Sequence, residues 1–310
     1  MQKKYDVIIM VTEKNLELLK ISFSYIKENL GANNIVLIGK KKLSSFFDKD
    51  VLFLDEDNVY LDLNYECISM LIEKRGGDVR RTGWYFQQFL KMSYAEKCEN
   101  EYYLLWDSDT IPLNPISYFS NESTPRFVNK KEYHMPYFNT LFKLFNGSVK
   151  RVDEKVSYIA ENMMINKNVM KELIKKIEQN DSILGSTFWE KIINAIDLND
   201  LSGSGFSEFE TYGNYVRTYY PYLYDDMKLR TQRLGSFLFG YLPSNEQLVW
   251  AKKDYDIISF EQSGGMSLKY ITKWNVLRKN IQCRKLFVIA KGICDLKSRM
   301  CGQEIINLDD

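Results

Sequence analysis

Apolar residues fall into short β-branched runs separated by stretches of helical spacing. Residues 5–11 (Tyr-Asp-Val-Ile-Ile-Met-Val) form the first run and read as a strand. Residues 15–29 then carry Leu16, Leu19, Phe23 and Ile26 at three- and four-residue intervals, with Gly31 as a stop just beyond. Residues 35–38, closed by Gly39, and residues 51–54 predict two more strands. A helix over 84–98 and an apolar run over 102–106 follow. Strand–helix alternation of this kind predicts an α/β fold, a mostly parallel sheet flanked by helices.

The second half is less regular. Residues 157–165 read as a strand, and 167–179 and 188–196 as helices. A turn, Ser202-Gly203-Ser204-Gly205, precedes Glu208. Further strands are expected around 219–224, 237–241, 247–251 and 257–260. No repeat or low-complexity linker interrupts the chain, so one domain is expected over 1–262, with a helical, basic extension over 263–310. Between positions 269 and 299, nine lysines and arginines face the single acid Asp295, interleaved with residues such as Trp274, Leu277, Leu286, Phe287, Val288, Ile289 and Ile293. That mixture suits an interfacial helix on anionic lipid, as well as a helix packed on the domain with its basic side in water.

Composition narrows the class only a little. Hydrophobic residues at 45% and charged residues at 27% describe an ordinary globular chain, large enough at 310 residues to bury its own core. A net charge of +1 gives no global field for nucleic acid. The five cysteines lack metal-ligand spacing and read as reduced thiols of a cytosolic protein. No run approaches the roughly 20 apolar residues of a spanning helix. Residues 7–11 are too few for a signal sequence. The expected location is the cytoplasm, with peripheral contact at the inner face of the membrane.

The chemistry concentrates after the run at 102–106. Asp107-Ser108-Asp109 sets two carboxylates one residue apart where the chain leaves a buried strand, and open α/β sheets bind ligands beyond the carboxyl ends of their strands. Two such carboxylates suit Mn2+ or Mg2+, with water and diphosphate oxygens completing the shell. This strand and motif resemble the DxD element of GT-A glycosyltransferases, whose fold is Rossmann-like. Gly83-Trp84-Tyr85-Phe86-Gln87-Gln88-Phe89-Leu90-Lys91, His134-Met135-Pro136-Tyr137-Phe138, Phe188-Trp189 and Ser207-Glu208-Phe209-Glu210-Thr211-Tyr212-Gly213 also resemble segments of bacterial glycosyltransferases from capsule and lipopolysaccharide gene clusters. The resemblance implies transfer of a sugar from a nucleoside diphosphate to a hydroxyl of an oligosaccharide or lipid-linked glycan. It weights the donor toward a UDP-sugar, galactose or galactofuranose, with Asp107 and Asp109 as metal ligands. Many GT-A enzymes have a further metal ligand late in the chain, and no histidine stands there to supply it.

Around that motif the sequence offers further contacts. Trp84, Gln87, Gln88 and Lys91 share one helix face, opposite the packing residues Phe86, Phe89 and Leu90, and could meet donor sugar or acceptor hydroxyls. Arg81 is the candidate partner for diphosphate, ahead of Arg75 and Arg80. Thr12 sits where such folds meet base and ribose, and it could equally cap the next helix. Ser108 is counted among the donor contacts. Asp55-Glu56-Asp57 lacks a strong apolar strand before it and reads as a solvated turn. An inverting transfer needs a carboxylate to take the acceptor's proton. Glu208 is the first choice and Glu210 the reserve, because Ser207 and Glu210 fit a capping box that gives Glu210 a structural task. The single histidine, His134, reads as structural or as an acceptor, diphosphate or metal contact. Two other classes use similar features. A metal-dependent nucleotidyltransferase or phosphotransferase would show a glycine-rich phosphate loop near the first strand, which Met10-Val11-Thr12-Glu13-Lys14 lacks. A non-catalytic carbohydrate-binding protein would account for the 21 tyrosines.

Overall fold

A computed structural model describes residues 3–48, 51–261 and 281–301, with side chains in the last stretch as far as Ile293. The early elements are β1 (Tyr5–Met10), α1 (Leu16–Asn29), β2 (Asn34–Gly39), β3 (Leu52–Asp55), α2 (Tyr65–Lys74), α3 (Thr82–Ser93) and β4 (Tyr102–Trp106). Next come β5 (Thr110–Pro112), β6 (Arg126–Val128), α4 (Met135–Leu144), β7 (Asn162–Asn166), α5 (Lys167–Glu178), α6 (Phe188–Ala195), α7 (Leu198–Leu201) and α8 (Glu208–Tyr219). The later ones are β8 (Asp225–Met227), β9 (Thr231–Gln232), α9 (Gly235–Phe239), α10 (Asn245–Ala251), β10 (Ile257–Ser259) and a C-terminal helix, Cys283–Cys301.

These elements divide into two compact units. The larger holds the described residues up to Glu13 together with Ala32–Asp107 and Tyr118–Lys228. Its sheet has five strands in the order β3-β2-β1-β4-β7. The pairs β3–β2, β2–β1 and β1–β4 are parallel, and β7 runs antiparallel to β4. Helices flank this sheet, which gives the expected mostly parallel α/β class. Every residue of β1 and β4 is buried, which is why both appear in sequence as near-continuous apolar runs, broken only by Asp6 in β1, rather than alternating ones. Val7 lies opposite Ile35 on one side and Leu104 on the other, so the register stacks apolar side chains across three strands.

The smaller unit holds Lys14–Gly31, Ser108–Ser117 and the described residues from Leu229 on. Here β10 pairs antiparallel with β5 and parallel with β9. Leu18, Ile111, Leu238, Leu248, Ile258, Phe260 and Leu286 form its core.

Three strands expected late in the chain are helical or irregular. Residues 219–224 contain the end of α8, residues 237–239 belong to α9, and residues 247–251 to α10. Short apolar runs do not separate strand from buried helix. In α10 the decisive signal was local, a capping box in which Ser244 and Gln247 satisfy each other's backbone donors. The boundary expected at 262/263 lies outside the described residues, as do Lys269, Lys273, Trp274, Leu277, Arg278 and Lys279.

Candidate active site

At the end of β4 the larger unit gathers residues from three distant stretches. Asp107 leaves the strand with its N–H donated to Glu161 O at 3.0 Å. Its Oδ1 accepts from Lys91 Nζ at 2.8 Å. The same ammonium donates to Glu208 Oε1, also at 2.8 Å, and lies 4.6 Å over the Phe209 ring. Gln88, one turn before Lys91 on α3, accepts the N–H of Glu208 at 3.1 Å. Thus α3 grips Glu208 by its backbone through Gln88 and by its carboxylate through Lys91. Burial works against the Lys91 charge, but the carboxylates of Asp107 and Glu208 outweigh it and hold the ammonium above the ordinary lysine range.

Glu208 opens α8, and its placement depends on the Gly/Ser turn before it. Arg81 donates from Nε to Gly203 O at 2.7 Å and from Nη2 to Ser204 Oγ at 3.3 Å. The guanidinium also lies 4.4 Å over the half-buried Trp84 ring. Arg81, the candidate partner for diphosphate, thus contacts this turn through Nε and Nη2. His134 Nε2 stands 2.7 Å from Ser204 O, a contact in which only the ring nitrogen can donate. Thr140 donates to Gly205 O at 2.7 Å, and a Cβ at Gly205 would lie 2.3 Å from Ile196 Cγ2, so only glycine fits. Ser207 caps α8 as expected, accepting from the Glu210 N–H at 3.2 Å. The Glu210 carboxyl turns inward instead of back to the cap. It accepts from Ser157 Oγ at 2.6 Å, Tyr158 N at 3.0 Å and Asn214 Nδ2 at 3.0 Å. Burial pushes this carboxyl up, and those three bonds draw it partly back.

Thr12 is exposed just past β1 and does not cap α1, whose N-cap position is Asn15. It does share an edge with Asp107, since β1 and β4 are parallel neighbours with Ile9 opposite Trp106. Asp55-Glu56-Asp57 is half-buried at Asp55 and Glu56, and burial raises the Glu56 carboxyl.

The chain passes from the larger unit to the smaller one between Asp107 and Ser108. In the smaller unit Ser108 is buried, its Oγ accepting from Asn15 Nδ2 at 2.7 Å. Asn15 Oδ1 accepts in turn from Tyr241 Oη at 2.9 Å. Asp109 O accepts from Phe260 N at 2.8 Å, and Thr110 and Ser259 share a hydroxyl bond at 2.8 Å. Asn15, Glu161 and Tyr241 went unread in the sequence, and Lys91 was read only as part of a helix face.

Among the described residues no group of three or more His, Cys, Asp or Glu side chains gathers into a metal cage. Asp107 and Asp109 offer hard oxygen donors only. Oxygen donors of that kind suit a cation that keeps its water and takes phosphate oxygens, as Mg2+ and Mn2+ do, and not a closed zinc site.

Fold and cluster define an α/β protein with a lysine-bridged carboxylate centre at the carboxyl edge of a mostly parallel sheet. A family model described as a family of unknown function, DUF6492, matches residues 32–238, more than half of the chain, and the chain belongs to that family. Among curated proteins none matches. Similar solved structures include mouse xyloside xylosyltransferase 1 in its apo form, at 11% identity and TM-score 0.45, covering 85% of this chain and 99% of that one. The mannosyltransferase Ktr4p from S. cerevisiae is similar at 10% identity and TM-score 0.39, covering 66% of this chain and 67% of its own. The apo WbbM bifunctional glycosyltransferase is similar at 12% identity and TM-score 0.44, covering 86% of this chain and 47% of its own. At these identities none of them passes a residue's role to this chain.

Proposed function

We propose that the chain is a GT-A glycosyltransferase of bacterial surface-polysaccharide synthesis. It moves a hexose, galactose or galactofuranose, from a UDP-sugar to a hydroxyl of a glycan acceptor. The observation that carries this reading is the meeting of Lys91, Asp107 and Glu208 at the carboxyl edge of the sheet. Each lies in a segment singled out independently in the sequence, and such edges are where open α/β sheets do their chemistry. Asp107 and Asp109 would hold Mn2+ or Mg2+, which when bound offsets the charge of the departing diphosphate. Lys91 holds the Asp107 carboxylate in place through its Oδ1. Thr12, past the neighbouring strand, is the contact for base and ribose, and Trp84 for the sugar. On sequence position Glu208 is the acceptor's base, yet it is buried with its Oε1 on Lys91, which favours a positioning role.

A donor screen tests the reading. UDP-galactose or another UDP-sugar should be hydrolysed with Mn2+ and not without it, and Asp109→Ala should remove that turnover. If no nucleotide sugar turns over, or if the variant matches the native chain, the reading fails.

A lipid-linked acceptor would place the protein in the cytoplasm, on the inner face of the membrane. Among the described residues no helix is long and apolar enough to cross a membrane. The C-terminal helix buries Cys283, Leu286, Phe287 and Ala290 in the smaller unit, and exposes Val288, Ile289 and Ile293 beside Arg284 and Lys285. Apolar side chains flanked by cations are what an anionic lipid surface takes up. Vesicles rich in phosphatidylglycerol should therefore carry the protein down on centrifugation, and phosphatidylcholine vesicles should not. The triple change Val288→Ser, Ile289→Ser, Ile293→Ser should leave it in the supernatant; equal pelleting by both lipids would remove the membrane from this reading.

A further inference from the structure

Exposure falls steeply across the charged triad. The Asp107 side chain is 33% exposed, against 5% for Lys91 and 6% for Glu208. Asp107 is thus the most open member of the three, while Glu208 is buried with its Oε1 on Lys91. One ammonium serves two carboxylates at 2.8 Å each, so the set carries a net single negative charge. A cation arriving at Asp107 meets an ammonium already seated on the same carboxylate, and at that separation the two repel strongly. How firmly Lys91 competes depends on how firmly Glu208 draws it back.

We propose that Lys91 and Glu208 are positioning residues that set the affinity of Asp107 for a divalent cation, and that Glu208 does not receive the acceptor's proton. This deepens the reading of Asp107 as a metal ligand and rests on it. The arrangement gives each side chain a sign. Without Lys91, no ammonium competes for the Asp107 carboxylate, so a dication binds more tightly. Without Glu208, Lys91 settles wholly on Asp107, so a dication binds more weakly. With Lys91 already gone, removing Glu208 has little left to act through. A merely structural role predicts something else, weaker binding in every variant.

The test is a titration of the full chain with Mn2+ alone, followed by electron paramagnetic resonance. Lys91→Met should tighten Mn2+ by about tenfold or more, and Glu208→Leu should weaken it by about threefold or more. Glu208→Gln, whose amide oxygen still accepts from Lys91, should fall between Glu208→Leu and the native chain. The double variant Lys91→Met, Glu208→Leu replaces the ion pair with apolar groups of similar size, so it keeps the fold. It should bind like Lys91→Met, which guards against a single variant that fails to fold. Weaker or unchanged Mn2+ binding in Lys91→Met overturns the inference. So does Glu208→Gln with unchanged Mn2+ affinity and UDP-sugar turnover reduced by about a thousandfold, the signature of a general base. A native chain that binds no Mn2+ overturns the metal reading and this inference together. Mn2+ binding that none of the variants moves overturns the inference alone.

Discussion

Asp107→Asn is expected to lower UDP-sugar turnover by about a thousandfold and to leave the melting temperature within about 4 °C of the native chain. The two halves of that expectation come from different atoms. Asparagine has nearly the shape of aspartate, keeps an oxygen that accepts from Lys91, and leaves the backbone N–H on Glu161 O. A side chain already one-third exposed loses little on folding by this change. What disappears is the negative charge. A cation held by Asp107 and Asp109 would lose half of its protein charge, and with it the stabilisation of the leaving diphosphate. Turnover measured at saturating Mn2+ separates weaker metal binding from lost chemistry. A variant keeping more than about a tenth of native turnover under those conditions moves the cation away from Asp107.

The parts of this site that were legible in sequence are those written into local pattern. β1 and β4 are buried on both faces and so appear as apolar runs, broken only by Asp6, and Asp107 marks where one of them ends. On α3, Gln88 and Lys91 stand three residues apart on the face that was picked out, and that face meets Glu208. The segment 207–213 looked particular, and its residues explain why. Ser207 caps α8, Glu208 binds Lys91, and Glu210 binds the approach to β7. Tyr212 accepts the Asn166 N–H at 2.8 Å, and a Cβ on Gly213 would lie 2.3 Å from Tyr158 Cδ2. Illegible were the contacts that need a second, distant residue. Asn15 reaches Ser108 across 93 positions and Tyr241 reaches Asn15 across 226, and neither side chain carries a local sign of its partner. Arg81 shows the same limit. Its type suited a phosphate, and only the folded turn at Gly203 and Ser204 shows where its donors go. Nor could periodicity reveal that the chain changes unit between Asp107 and Ser108, since it reports which face is buried and not against what.

Glu210→Ala is expected to destabilise the fold by roughly 4 kcal/mol, far more than any change at Glu208 that keeps an acceptor. Glu210 is 1% exposed, and its carboxyl gathers three donors: the Ser157 hydroxyl, the Tyr158 N–H and the Asn214 amide. Alanine leaves all three buried donors without this acceptor, and each such loss costs about 1–3 kcal/mol. A cavity the size of the missing side chain adds to the sum. The donors are also structural joints. Ser157 exchanges backbone bonds with Lys130, and Tyr158 sets its ring 5.2 Å from that of Phe127. Losing Glu210 therefore loosens α8 from the segment leading into β7, and Glu208 rides on the first turn of α8. Urea unfolding should show the lower midpoint with an unchanged slope, as for a folded state weakened at one place. A midpoint shift worth less than about 1 kcal/mol would mean that water or a rearranged Asn214 satisfies those donors. Glu210 would then be free for the chemical role that its present bonds assign elsewhere.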